Sequence, residues 1–153
     1  MGVILNMIEY KFRPALQSEA IQIRELVNLV GINPSGLAWR RFIVAVTEHG
    51  QVVACGQIKP HGADIIELAS IAVHPDYRRQ GFARGVIEML LRENPRPVYL
   101  MCMAHNGPIY ERFGFQTIDE NQMPSYFVRI KRLFGVAGMF KKFREELLVM
   151  MLE

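Results

Sequence analysis

The chain has 153 residues, half of them hydrophobic and 22% charged, which suits one folded domain with a sizeable core. No apolar run approaches the roughly 18 residues of a membrane-spanning helix, and the apolar start MGVILNMIEYKF has no basic flank or cleavage site, so neither a span nor a signal peptide is expected. A net charge of +3 is too small to mark a nucleic-acid or membrane binder.

In chain order, Glu9 to Arg13 reads as a short strand stopped by Pro14. Ser18 is placed to cap a helix from Glu19 to Val30, with Ile23, Leu26, Val27 and Val30 on one face and Gly31 closing it. Asn33-Pro34-Ser35-Gly36 is a turn. Phe42–Thr47 and Val52–Ile58 are β-rich, and Glu48 to Gln51 joins them as a hairpin. Lys59 to Asp64, with Pro60 and Gly62, reads as a second turn. The strand Ile65–Val73 follows, then a loop, then a helix burying Val86, Ile87, Leu90 and Leu91. Pro95 and Pro97 end that helix.

Val98–Met103 is a continuous apolar run, expected as a buried strand parallel to Ile65–Val73. Pro108 to Arg112 is a short helix ended by Gly114. Strands are expected at Gln116–Ile118 and Ser125–Ile130. Residues 136–153 are expected as an amphipathic helix, with Met139, Phe140, Phe143, Leu147, Met150 and Met151 near one stripe. That helix would cap the protomer or form a dimer surface, so a monomer or a homodimer is expected. The pattern is α+β, or α/β-like, around a mixed sheet, in a single domain covering residues 1–153 with residues 1–8 as an extension. Cys55 and Cys102 both lie in apolar runs and read as buried thiols of a cytoplasmic protein, not a disulfide framework. The four histidines have no metal-ligand spacing, so no metal is expected.

The segment from Ile65 to Arg92 carries the most information. A strand enters a loop with Arg78, Arg79, Gln80, Gly81, Phe82, Ala83 and Arg84, and a helix begins there. The first N–H groups of a helix have no partner inside it, and its dipole adds partial positive charge. Strand, glycine turn and helix start together form a site for phosphate or pyrophosphate. The strings of a P-loop and of the dinucleotide fingerprint are both absent.

The run Glu67-Leu68-Ala69-Ser70-Ile71-Ala72-Val73-His74-Pro75, then Arg78-x-x-Gly81-x-Ala83, resembles the GNAT acetyltransferase superfamily. Downstream, Asn106-Gly107-Pro108-Ile109-Tyr110-Glu111-Arg112-Phe113-Gly114-Phe115 is similar to the same family's Asn-then-Tyr-Glu-x-x-Gly-Phe block. The two blocks cover about residues 65 to 118. The resemblance implies a mostly antiparallel mixed sheet flanked by helices and acetyl-CoA as co-substrate. It places the pyrophosphate over the backbone of Arg79 to Arg84 and pantetheine against the backbone of Ile71, Ala72 and Val73. Asn106 is a further cofactor or positioning contact, although only three residues separate it from Tyr110, fewer than in many members.

Acetyl transfer to an amine needs a neutral amine, and a lysine-like amine has an ordinary pKa of about 10.4, so a base must take a proton. By resemblance, Glu67 is the candidate base, with a water relay as the alternative, the Val73 N–H the oxyanion donor, and Tyr110 the acid for the departing thiolate. The expected acceptor is an amine on a small molecule or a protein. Its pocket is expected from the first helix and its loop, the Lys59–Asp64 turn, and the segment Gln122 to Tyr126. Trp39 is a pocket wall or a core plug, and Arg40 and Arg41 would favour an acceptor carboxylate. A catalytically weak acetyl-CoA-binding module is the alternative. The basic cluster Arg129, Lys131, Arg132, Lys141, Lys142 and Arg144 reads as a solvated face, since it lacks interleaved stacking aromatics. Neither a nucleic-acid nor a membrane partner is expected.

Overall fold

The computed structural model describes residues 9–136 and 145–153. Its strands are β1 (Tyr10–Pro14), β2 (Phe42–Thr47), β3 (Val52–His61), β4 (Ile65–Val73), β5 (Val98–Met103), β6 (Gln116–Thr117) and β7 (Leu147–Leu152). Its helices are α1 (Ala20–Val30), α2 (Phe82–Glu93), α3 (Gly107–Glu111) and α4 (Ser125–Val136). Hydrogen-bonded neighbours follow the order β1-β2-β3-β4-β5-β7-β6, a mixed sheet. Its recorded parallel pairing is β4 with β5. The chain forms two compact units, residues 1–59 with 68–94, and residues 60–67 with 95–153.

In the first unit, β2 pairs antiparallel with both β1 and β3, and all six of its residues are buried. A strand covered on both faces must be apolar throughout, as Phe-Ile-Val-Ala-Val-Thr nearly is. Helix α1 lays Ile23, Leu26 and Val27 against Phe42, Val44, Val46 and Cys55. Burying each such side chain contributes roughly 1.5–3 kcal/mol. Gly31 ends α1 at φ +75°, its N–H returning to the Asn28 carbonyl.

The start of this helix differs from expectation. Ser18 does not cap it. A short 3-10 turn, Gln17–Glu19, precedes α1, and the Glu19 carboxylate accepts from the Leu16 N–H at 2.8 Å. Arg13 holds the same carboxylate through two hydrogen bonds, at 2.8 and 2.9 Å. That guanidinium keeps the buried Glu19 carboxyl below its ordinary pKa. Pro14 is also the last residue of β1, paired with Ile43, and does not stop the strand before itself.

Strand β3 runs to His61, so the turn expected over Lys59–Asp64 shrinks to Gly62–Asp64. Pro60 sits near the strand end, where a missing N–H is tolerated. Gly56, in the middle of β3, sets how closely its neighbours approach. A Cβ there would lie 2.4 Å from Ile71 Cδ1 and 2.8 Å from Val86 Cγ1. This glycine therefore lets α2 and β4 close on the strand.

In the second unit, β7 pairs antiparallel with β5 over six residues, Val98↔Leu152 to Met103↔Leu147, and with β6 on its other side. Residues 147–152 are therefore a strand between two others, which corrects the C-terminal helix expected from Leu147, Met150 and Met151. Met139, Phe140 and Phe143 lie outside the described residues. Ser125–Ile130 is corrected in the other direction: it begins α4, where Phe127 is fully buried against Tyr99, Ile118, Met123 and Val149. Both segments are apolar runs too short for periodicity to separate strand from helix.

Candidate active site

In the first unit, β4 delivers the chain into the loop expected to hold phosphate. The His74 N–H donates to the Val53 carbonyl at 2.8 Å, and Pro75–Tyr77 make one 3-10 turn. The chain then enters the left-handed region twice, at Arg79 (φ +62°) and at Gly81 (φ +85°). Gly81 is the residue before α2, and among the described residues no side chain caps the helix start. The first intrahelical bond there runs from the Gly85 N–H to the Gly81 carbonyl at 3.0 Å. The Phe82, Ala83 and Arg84 N–H groups therefore precede the ladder and have no partner within the helix. A Cβ on Gly81 would meet no protein atom within 4 Å. The protein's own demand at this position is thus the left-handed φ, which glycine adopts without strain.

Phe82 divides its roles between backbone and side chain. Its ring is buried and packs edge-on against Tyr10 at 4.5 Å and Tyr77 at 6.1 Å. It anchors the helix start while its amide stays in the first turn. Arg78, Arg79 and Gln80 are exposed, and Arg84 pairs with Glu88 at 2.8 Å. Ala72 is buried, Ile71 and Val73 are half-buried, and Ile71 packs against Gly56.

Strand β4 carries one backbone conformation that its sequence does not announce. Ser70 has φ +58°, a left-handed residue inside a strand. The Gln57 side-chain amide donates to Ser70 Oγ at 2.8 Å and to the Gly36 carbonyl at 3.2 Å. The signal was there in principle, as the one hydroxyl in the apolar run Leu68 to Val73.

In the second unit, Glu67 is 6% exposed and forms the recorded β4–β5 pair with Tyr99. Its carboxylate lies 2.7 Å from His61 Nε2. The His61 ring stacks on Tyr126 with centroids 3.7 Å apart and planes 19° apart. Phe127 meets the same ring edge-on at 5.9 Å. Burial, then the charge of Glu67, raises the Tyr126 phenol above its ordinary pKa, and Arg129 opposes this. Neither His61 nor Tyr126 carries a sequence signature of its own. They do fall in two of the three segments expected to shape an acceptor pocket.

Tyr110 lies on α3, half-buried, with its ring edge-on to Phe115 at 6.3 Å. Burial, with a smaller contribution from Cys102, pushes its phenol up to about 12. It is therefore protonated at neutral pH, as a proton donor must be. Asn106 precedes α3 and its side chain makes no capping bond. Cys55 and Cys102 are free buried thiols, and burial pushes them up to about 12 and about 11.

Trp39 is half-buried against the α1 core, with the Arg40 guanidinium 4.7 Å above its ring. Both line a groove with Arg24, a residue not anticipated, whereas Arg41 is exposed and not part of it. In the basic cluster, Lys131 lies 3.4 Å from Glu146 and Arg132 pairs with Glu120. Lys141, Lys142 and Arg144 lie outside the described residues. Among the described residues, no helix is long and apolar enough to cross a membrane.

The model of the GNAT acetyltransferase domain matches residues 38–117, more than half of the chain. An uncharacterized N-acetyltransferase of Chlorobaculum tepidum is 24% identical over 108 residues, covering 61% of this chain and 68% of that protein. Among solved structures, Mycobacterium tuberculosis Rv2747 in complex with CoA has a TM-score of 0.70 at 22% identity, covering 93% of this chain and 98% of that one. N-acetylglutamate synthase of Neisseria gonorrhoeae, complexed with coenzyme A and N-acetyl-glutamate, has a TM-score of 0.74 at 17% identity. That match covers 97% of this chain and 36% of the synthase chain. The ribosomal-protein-S18-alanine N-acetyltransferase of Escherichia coli has a TM-score of 0.66 at 20% identity, covering 94% and 93%. The chain belongs to the GNAT acetyltransferase family and is an acyltransferase.

Proposed function

We propose that the protein moves an acetyl group from acetyl-CoA to a primary amine of a small molecule or a protein, by direct attack of the amine on the thioester. The carrying observation is the uncapped start of α2, where two left-handed residues leave a run of backbone N–H groups without a partner in the helix. A pyrophosphate there gains several charge-assisted hydrogen bonds and the helix dipole. Arg78, Arg79, Gln80 and Arg84 supply further donors at the rim, and Gly81 and Ala83 keep the approach clear of bulk. Backbone groups of Ile71, Ala72 and Val73 pair with the pantetheine amides, with the Val73 N–H as oxyanion donor. Asn106 is a supporting cofactor contact.

The negative charge of Glu67 drives removal of a proton from the amine. Tyr110, which stays protonated at neutral pH, gives a proton to the departing thiolate. Relatives by fold include enzymes named for an amino-acid product and for a protein acceptor, so both acceptor classes remain in the proposal. The setting is cytoplasmic, where buried Cys55 and Cys102 stay reduced.

Thiol release from acetyl-CoA with a panel of amines tests this reading. Turnover with at least one primary amine is expected, together with a rise in melting temperature on adding acetyl-CoA. A melting rise without turnover for any amine supports the binding-module alternative, and the absence of both effects overturns the cofactor assignment.

A further inference from the structure

His61 and Glu67 form a couple with a specific chemical polarity. His61 ends β3 and Glu67 lies six residues on, across the Gly62–Asp64 turn, so the hairpin itself brings the two side chains together. When Glu67 is ionised its carboxylate can only accept, and the hydrogen of the 2.7 Å contact then lies on Nε2. In the neutral ring this leaves the lone pair on Nδ1. The ring cannot turn freely, because Tyr126 stacks on one face and Phe127 closes an edge. The His61 side chain is 16% exposed and that of Glu67 7%. Among the described residues Nδ1 has no hydrogen-bond partner. Nε2 is committed to the carboxylate, while part of the His61 side chain stays exposed.

A couple built only for packing would be a poor use of these positions. Burying a carboxylate in an apolar wall is costly, and an apolar pair would pack as well. A carboxylate that fixes the tautomer of an imidazole and stabilises its cation is instead the arrangement of a general base.

We propose that His61, through Nδ1, is the group that takes the amine proton, and that Glu67 is its positioning carboxylate. This rests on the reading that the charge of Glu67 drives amine deprotonation, and it names the atom that receives the proton. As the amine nitrogen bonds to the acyl carbon, its N–H bond breaks and the Nδ1–H bond forms. The C–S bond then breaks with its electron pair going to sulfur, the thiolate takes the Tyr110 proton, and the tyrosinate is reprotonated from solvent. The imidazolium returns its proton to solvent. The ionisable groups around the ring are Glu67 on β4 and Tyr126 on α4, with Arg129 acting on Tyr126.

The test measures kcat/KM from about pH 5 to 9, the range a histidine base spans, for the wild type, His61→Gln, His61→Ala and Glu67→Gln. Acetyl-CoA-induced melting shifts report that each variant is folded. His61→Gln is expected to lose about 100-fold, with the acidic limb of the wild-type profile abolished. Added imidazole is expected to restore part of the rate in His61→Ala and none in Glu67→Gln. An unrescued His61→Ala that still shows the melting shift, or a His61→Gln with the wild-type profile, overturns the proposal. If His61→Gln is unaffected while Glu67→Gln is impaired, Glu67 is itself the base and only the histidine step is lost. If both variants keep the wild-type rate, the underlying reading of Glu67 fails as well.

Discussion

The loop before α2 and the couple at the β3–β4 turn are built by opposite means. The loop uses backbone: left-handed φ at Arg79 and Gly81, and amides at a helix start that no side chain caps. The couple uses side chains: His61 and Glu67 from one hairpin, with Tyr126 brought by a helix some sixty residues later in the chain. A backbone site tolerates changes of neighbouring side chains but not of local conformation. A side-chain site behaves the other way. Binding should therefore fail through Gly81, and chemistry through Glu67.

The largest effect is expected at the couple. Glu67→Gln should lower kcat by about 100-fold or more, while the acetyl-CoA melting shift stays near that of the wild type. Tyr110→Phe should lower kcat by about 10-fold, in the lower part of the acid–base range. Because burial already holds the phenol up at about 12, no limb of the wild-type profile near neutral pH belongs to its ionisation. Comparing profiles of the wild type and Tyr110→Phe checks this.

At the loop, Gly81→Val forces a β-branched residue to φ +85°. The strain of about 1–2 kcal/mol should weaken acetyl-CoA binding by about 10-fold, read by calorimetric titration. The Cβ meets no protein atom, so a much larger loss of stability than of binding would show that the loop is a structural turn only.

The smallest effect lies outside both regions. Arg13→Gln should cost about 1–3 kcal/mol of stability without changing kcat. The Glu19 carboxyl sits below its ordinary value in the fold. Its stabilisation is therefore complete above the ordinary carboxylate pKa and fades as the pH falls through the lowered folded value. Denaturant melts at neutral and acidic pH should show the wild type losing this increment on acidification, and Arg13→Gln losing less.

The same contrast explains what was legible in the sequence. The loop and helix at Gly81 to Leu90 could be read because their determinants are local: a glycine, small residues and one apolar face. Strands β2, β4 and β5 were legible as apolar runs bounded by turns. The couple was only half legible. Glu67 was marked by the resemblance to the GNAT family, but Pro60 and Gly62 made His61 look like part of a turn. Only pairing across the hairpin shows that β3 continues to His61. Ser125–Ile130 and Leu147–Leu152 exchanged identities because both are short apolar runs. Leu147–Leu152 becomes a strand because β5 and β6 offer it partners on both edges. Ser125–Ile130 becomes helical because Phe127 fills the core beside Tyr99. Ser70 was hidden for a similar reason, since its left-handed φ is supported by Gln57 from another strand.

The central claim is that the backbone loop binds and the side-chain couple reacts. The most direct measurement is a crossed pair of quantities, the Kd for acetyl-CoA and kcat with one accepted amine, for Gly81→Val and Glu67→Gln side by side. The predicted result is a weakened Kd in Gly81→Val alone and a collapsed kcat, with Kd unchanged, in Glu67→Gln. A Gly81→Val protein that binds acetyl-CoA like the wild type, or a Glu67→Gln protein that turns over like it, would contradict the account.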